Sequence, residues 1–260
     1  MGIGIALKLF SNFGIPAPAV PQKESASHGE EHRSAEPPPE DRRVQRKEPG
    51  LGGDRHQGER AAGQAEHQGA TLASDDAHGE RFHYCSPHSD LLGWLIERAV
   101  GDSFAAIAAS RLMQPCGLAS ESYITLDTYG APRVAGGICM TARDLARVGE
   151  MVRCGGVAGG RQVVPESWIA DLRTTDTRPA WQAQIDGPRH FPNGCYRSKW
   201  YQTGLEDDEL CGIGIHGQYL WINPARETVI VHLASQDAPT DPDSRPGMIS
   251  MLQATARACS

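Results

Sequence analysis

The chain of 260 residues predicts an α+β protein in which an antiparallel sheet with flanking helices occupies the C-terminal two thirds. Three observations carry that expectation. Apolar residues recur at helical spacing between residues 87 and 172, β-branched and aromatic residues gather in three runs after residue 195, and a last amphipathic stretch closes the chain. Residues 22–80, in contrast, contain almost nothing apolar larger than alanine.

Taken in order, the opening stretch MGIGIALKLFSNFGIPAPAV has a short apolar run that Lys8 interrupts, with no basic region ahead of it. It does not read as a signal peptide, and a cytoplasmic protein is expected. The Glu, Arg, Gln, His, Gly and Pro-rich stretch from Gln22 to Glu80 cannot bury enough surface to offset backbone ordering at about 1–2 kcal/mol per residue. Residues 1–78 are therefore expected to be disordered or foreign to the domain that follows, and residues 79–260 to form that domain.

Ser86 and Pro87 suit the N-cap and first position of a helix whose stripe is Leu91, Leu92, Leu95, Ile96 and Ala99, ended by Gly101. Asp102 or Ser103 opens a second helix carrying Phe104, Ile107, Ala108 and Leu112. Thr141 and Asp144 form a capping-box-like start for Leu145, Val148, Met151 and Val152. Pro165 opens a short helix through Trp168 and Leu172. The segments 195–202, 210–224 and 228–235 read as three consecutive antiparallel strands, and a helix over 246–258 covers one face of their sheet.

Composition excludes several functions. A net charge of −7 argues against a nucleic-acid partner, which calls for a basic surface to displace counterions. No apolar run approaches the roughly 20 residues of a membrane helix. The seven cysteines are odd in number and widely spaced, without a C-x-x-C, so reduced and mostly buried thiols are expected. In the globular part no histidine pair has metal-site spacing. The HGEEH stretch at 28–32 fits the letters of an inverted zinc motif, but a glycine and the lack of an apolar face deny it a helix. No metal and no organic cofactor are expected.

Two stretches could carry chemistry. FHYCSPHSD (82–90) places Tyr84 two residues before Ser86 at a helix mouth; the serine is either a plain cap or part of a site in which the phenol moves protons. GIGIHGQYLWINP (212–224) sets His216 among Gly212, Gly214 and Gly217, which suits either a twisted edge strand or a strand beside which a ligand runs.

Together, in order and at this separation, YCSPHSDLLGWLIERAVG, GGICMTARDLARVGEMV and HGQYLWINP resemble the penicillin-recognising serine hydrolases, the class C β-lactamase and esterase superfamily, and within it the 6-aminohexanoate-dimer hydrolase branch that cleaves linear amides. The resemblance covers about residues 79–258 and implies a β-lactamase/penicillin-binding-protein-like fold acting on a small-molecule amide or ester substrate. It further implies that Tyr84 is the tyrosine of a Tyr-x-Asn/Ser element and Ser86 its third position, both catalytic. His216, Gly217 and Gln218 would take the place of the Lys-Thr-Gly box and bind substrate, with an oxyanion-hole donor near Gln218 or Tyr219.

The family's nucleophile, the serine of Ser-x-x-Lys, has no counterpart here. The four lysines Lys8, Lys23, Lys47 and Lys199 are preceded at the third position by Ile5, Val20, Val44 and Tyr196. A domain incomplete at its N-terminus is therefore expected, joined near His78 to a frameshifted, misplaced or fragmentary start rather than to a natural linker. The functional alternative follows: a catalytically inactive fragment or pseudo-enzyme that at most binds ligand. GDSFA (101–105) is accounted for by helix caps, no G-x-S-x-G elbow occurs, and no histidine is placed to activate Cys85. Asp207, Asp208 and Glu209 read as a solvated loop tip. Substrate identity and oligomeric state are left open by the sequence.

Overall fold

The computed structural model of the chain describes residues 77, 79–184 and 190–259. The polar stretch up to residue 76, with its HGEEH match, lies outside these residues.

Helix α1 (Pro87–Val100) has proline at its first position and ends on Gly101 at φ 78°, a left-handed conformation whose N–H reaches the Glu97 carbonyl. Helix α2 (Phe104–Ala108) is capped by the Ser103 hydroxyl, which accepts from the Ala106 N–H, and runs on as one π-helical turn over Ala109–Met113. Helix α3 (Ala142–Arg153) starts at Thr141, whose hydroxyl accepts from the Asp144 N–H. The helix expected after Pro165 is α4 (Glu166–Thr174), and a short α5 (Arg178–Gln182) follows. Two small strand pairs, β1 (Tyr123–Ile124) with β2 (Ile138–Cys139) and β3 (Val157–Ala158) with β4 (Arg161–Gln162), tie the connections together.

The main sheet corrects the expectation of three strands. It has five antiparallel strands in sequence order, β5 (Cys195–Arg197), β6 (Trp200–Gln202), β7 (Leu210–Gly214), β8 (Gln218–Asn223) and β9 (Thr228–His232). The runs 195–202 and 210–224 each fold back on themselves. Ser198 and Lys199 both have positive φ, 47° and 72°, the backbone of a two-residue hairpin turn, and the three-residue connection 215–217 turns on His216 and Gly217 at 60° and 78°. Register places both turns at one end of the sheet, since Tyr201 faces Cys211 and Gly214 faces Gln218. The 203–209 and 224–227 connections lie at the other end.

Alternation sorts the strands' side chains onto two covered faces. Trp200, Leu210, Leu220 and Ile222 pack with residues of α2, α3 and α4, while Tyr201, Cys211, Tyr219 and Trp221 pack with Trp181 of α5 and Leu252 of α6 (Arg245–Ala258). Strand β8 is buried along its whole length. Gly149 lets α3 approach it closely, since a Cβ there would fall 2.7 Å from Val229 Cγ1 and 2.9 Å from Leu220 Cδ1. Gly149→Val is expected to destabilise the fold by roughly 1–3 kcal/mol through overpacking, read as a lowered denaturant midpoint at unchanged slope.

Of the acidic triplet only Asp208 is exposed at the loop as expected, while Asp207 and Glu209 are engaged. Glu209 is 2% exposed and accepts from the Thr203 hydroxyl at 2.9 Å, while Asp207 pairs with Arg226 and accepts from Asn223 Nδ2 at 3.1 Å. These carboxylates fasten the far end of the sheet by satisfying buried donors. The seven cysteines are all free thiols, four of them buried. Among the described residues no helix is long and apolar enough to cross a membrane.

Candidate functional site

Ser86 occupies the position before α1 but does not cap it. Its backbone is already helical at φ −63° and ψ −43°, and its side chain makes no bond to the helix N–H groups. The hydroxyl instead lies near the Tyr84 phenol and favours its ionised form. Partial burial pushes that phenol above the usual tyrosine range, and the Ser86 hydroxyl pulls it back only in part. The residue as a whole is 53% exposed.

The sheet holds Tyr84 from behind. Its ring meets Tyr196 of β5 edge-on at 6.2 Å, and Tyr196 meets its cross-strand partner Tyr201 at 4.7 Å. Phe82 and Trp181 close on the same ring of Tyr196, at 4.7 and 6.4 Å. This stack, with the Phe82 N–H donating to the Ala180 carbonyl at 2.9 Å, fixes the 82–86 segment. Burial raises the phenols of Tyr196 and Tyr201, which are thus neutral packing groups rather than bases.

Lys199, at the tip of the β5–β6 turn, acts electrostatically on Cys85, His88 and Asp90, which places the turn beside the start of α1. Burial holds its ammonium below the usual lysine range, opposed by Cys85 and Asp90. Asp90 itself accepts from the Ala135 N–H at 2.7 Å and faces Arg133 at 3.7 Å.

The neighbouring turn carries the other expected residues. His216 and Gly217 are not within a strand but in the β7–β8 turn, while Gln218 and Tyr219 begin β8. Gln218 spends its side chain on the turn, with Nε2 donating to the Ile215 carbonyl at 3.0 Å. Tyr219 pairs with Ile213 on one side and His232 on the other. Its phenol is raised by burial, which the guanidinium of Arg245 at the start of α6 opposes. Thus Tyr84 with Ser86 and the His216–Tyr219 segment lie at the same end of one sheet. The bonds of His216 run to Gln236 and Pro239, not toward Tyr84.

Tyr196, Lys199 and Arg245 escaped the sequence reading. The available signal was the YRSKWY pattern, with Tyr196 and Tyr201 paired across a two-residue turn, but Ser-Lys is not a turn pair that announces itself as Asn-Gly does. Arg245 is brought to the sheet only by the path of residues 233–244.

Comparison with known proteins adds the following. The family model described as Beta-lactamase matches residues 13–252. The 6-aminohexanoate-dimer hydrolase of Paenarthrobacter ureafaciens is 39% identical over 175 residues, which make up 67% of this chain and 43% of that protein. A solved Bacillus anthracis structure, provisionally designated a 6-aminohexanoate-dimer hydrolase, superposes with a TM-score of 0.63 at 25% identity, covering 72% of this chain and 46% of the other. The octameric penicillin-binding protein homologue of Pyrococcus abyssi shares the fold, with a TM-score of 0.55 at 18% identity over 76% of this chain and 47% of its own. The chain thus spans less than half the length of each of these three.

Proposed function

The chain belongs to the beta-lactamase family, and from that premise we propose that residues 79–260 carry the tyrosine side and the strand wall of an amide- or ester-cleaving serine hydrolase site. The observation that carries this reading is that the Ser86 hydroxyl leaves the helix uncapped and lies near the Tyr84 phenol, whose ionised form it favours. In that site Tyr84 passes protons between nucleophile and leaving group, Ser86 orients its hydroxyl, and a backbone N–H beside Gln218 faces the developing oxyanion. His216 and Gly217 line the substrate from the adjoining turn. A short linear amide of the aminohexanoate kind is the substrate we favour, because the relative with 39% identity is named for that dimer. A reducing, cytoplasmic setting agrees with the seven free thiols.

A second reading has its own observation. None of the four lysines follows a serine at the third position, so these 260 residues contain no Ser-x-x-Lys to be acylated. On its own the chain is then a ligand-binding pseudo-enzyme. The deciding experiment is hydrolysis of a p-nitrophenyl ester, a chromogenic cephalosporin and a linear aminohexanoate amide by the folded chain, beside Tyr84→Phe. The expected result is no turnover above that variant and no acyl adduct by mass spectrometry. Turnover that the substitution destroys would instead show a substitute nucleophile within these residues.

A further inference from the structure

Three histidines near the Tyr219 end of β8 each have one ring nitrogen committed. His216 Nδ1 lies 2.7 Å from the Gln236 carbonyl oxygen, His232 Nδ1 lies 2.9 Å from the Gly217 carbonyl oxygen, and His190 Nδ1 lies 2.6 Å from Arg245 Nη1. A carbonyl oxygen can only accept, so His216 and His232 carry their protons on Nδ1. A guanidinium can only donate, so His190 holds the opposite tautomer.

His216 is fixed by its backbone as well. Its N–H donates to the Pro239 carbonyl at 2.9 Å, and its own carbonyl accepts from the Gln236 N–H at 3.2 Å. Three hydrogen bonds therefore clasp one residue to the 236–239 segment and set the orientation of its ring. The absence of a side chain at position 217 is part of the fit, since a Cβ there would fall 2.6 Å from Gln236 Cδ. What the clasp leaves over, in the neutral ring, is Nε2: an unprotonated acceptor on a half-buried residue of the turn, with no bond to any of the described residues.

We propose that His216 meets the substrate as a hydrogen-bond acceptor through Nε2, and thereby favours a secondary amide, which carries an N–H, over the corresponding ester, which does not. The proposal rests on the reading of this sheet end as a substrate cleft. An ester bound in the same way would cover the acceptor without supplying a donor, and an acceptor stripped of water and left unpaired opposes binding. Because the turn is half exposed, water relieves part of that loss, and discrimination of about tenfold in affinity is expected. Gln236 acts as the positioning residue through its backbone, so its side chain can be changed without altering the tautomer.

The test uses the full chain with 15N-labelled histidine and long-range proton–nitrogen correlation at a pH where the rings are neutral. Unprotonated Nε2 is expected in His216 and His232, and unprotonated Nδ1 in His190. Addition of N-butylhexanamide should shift His216 Nε2 and the Tyr84 ring together, whereas butyl hexanoate should shift Tyr84 alone and bind about tenfold more weakly. His216→Phe should erase that difference. An unprotonated Nδ1 in His216, or an amide that perturbs Tyr84 while leaving Nε2 unmoved, overturns the inference. If neither compound perturbs Tyr84 or His216, the cleft reading itself fails and the amide preference with it, a result distinct from a wrong tautomer.

Discussion

Tyr84→Phe is expected to lower kcat by about 10²–10⁴-fold, with KM little changed, in a protein where a family segment bearing Ser-x-x-Lys is joined ahead of residue 79. The substitution removes one oxygen and leaves the ring against Tyr196 at 6.2 Å, so packing is preserved and the loss reads on chemistry. In the chain by itself burial raises the phenol and only the Ser86 hydroxyl opposes it. Such a tyrosine is protonated at neutral pH and serves as a donor, not a base. A lysine ammonium beside it stabilises the phenolate and lowers the titration. Ultraviolet titration should accordingly find Tyr84 ionising at lower pH in the joined protein than in the chain alone, and Ser86→Ala should raise it in both. A joined Tyr84→Phe enzyme that keeps its rate would remove the tyrosine from the proton path.

The helices were legible because each boundary has a local cause. Pro87, Gly101, Ser103, Thr141 and Pro165 sit where the structure starts or ends an element. The α+β class followed from the change of period after residue 195. What was illegible depends on residues far apart in sequence. Ser198 and Lys199 turn the chain although neither is glycine, and they do so because Tyr196 and Tyr201 pair across the hairpin. His216 was expected on a strand because the apolar run continues past it, whereas the 236–239 segment draws it into a left-handed turn. Ser86 looked like a cap because serine and proline at a helix start usually mean one; its helical backbone turned the hydroxyl toward Tyr84 instead. At the candidate site, then, residue types could be read from the sequence but their partners could not.

Asp144→Ala is expected to destabilise the folded chain by roughly 2–4 kcal/mol, the cost of removing a buried acceptor and orphaning its donors. The Asp144 side chain is fully buried. It accepts from the N–H groups of Ala119 and Ser120, both at 3.0 Å, from the Thr141 hydroxyl at 3.0 Å, and from Arg147. One side chain thus joins the start of α3 to a loop 24 and 25 residues upstream. Burial alone would raise this carboxyl, but the hydrogen bonds outweigh it and hold the group at about 2, below its ordinary 3.8. A depressed folded value means that the contribution is complete above the unfolded value and is lost as pH falls from about 4 toward 2, amounting to roughly 2–2.5 kcal/mol. Denaturant titrations at a series of pH values should show a fall in stability across that window that Asp144→Asn abolishes, since an amide has no proton to gain. Asp144→Asn should also fall between wild type and Asp144→Ala in stability at neutral pH, because it keeps an acceptor for one loop N–H and loses the charge facing Arg147. Equal midpoints for wild type and Asp144→Ala would mean that the 119–120 loop is held by something other than this carboxylate.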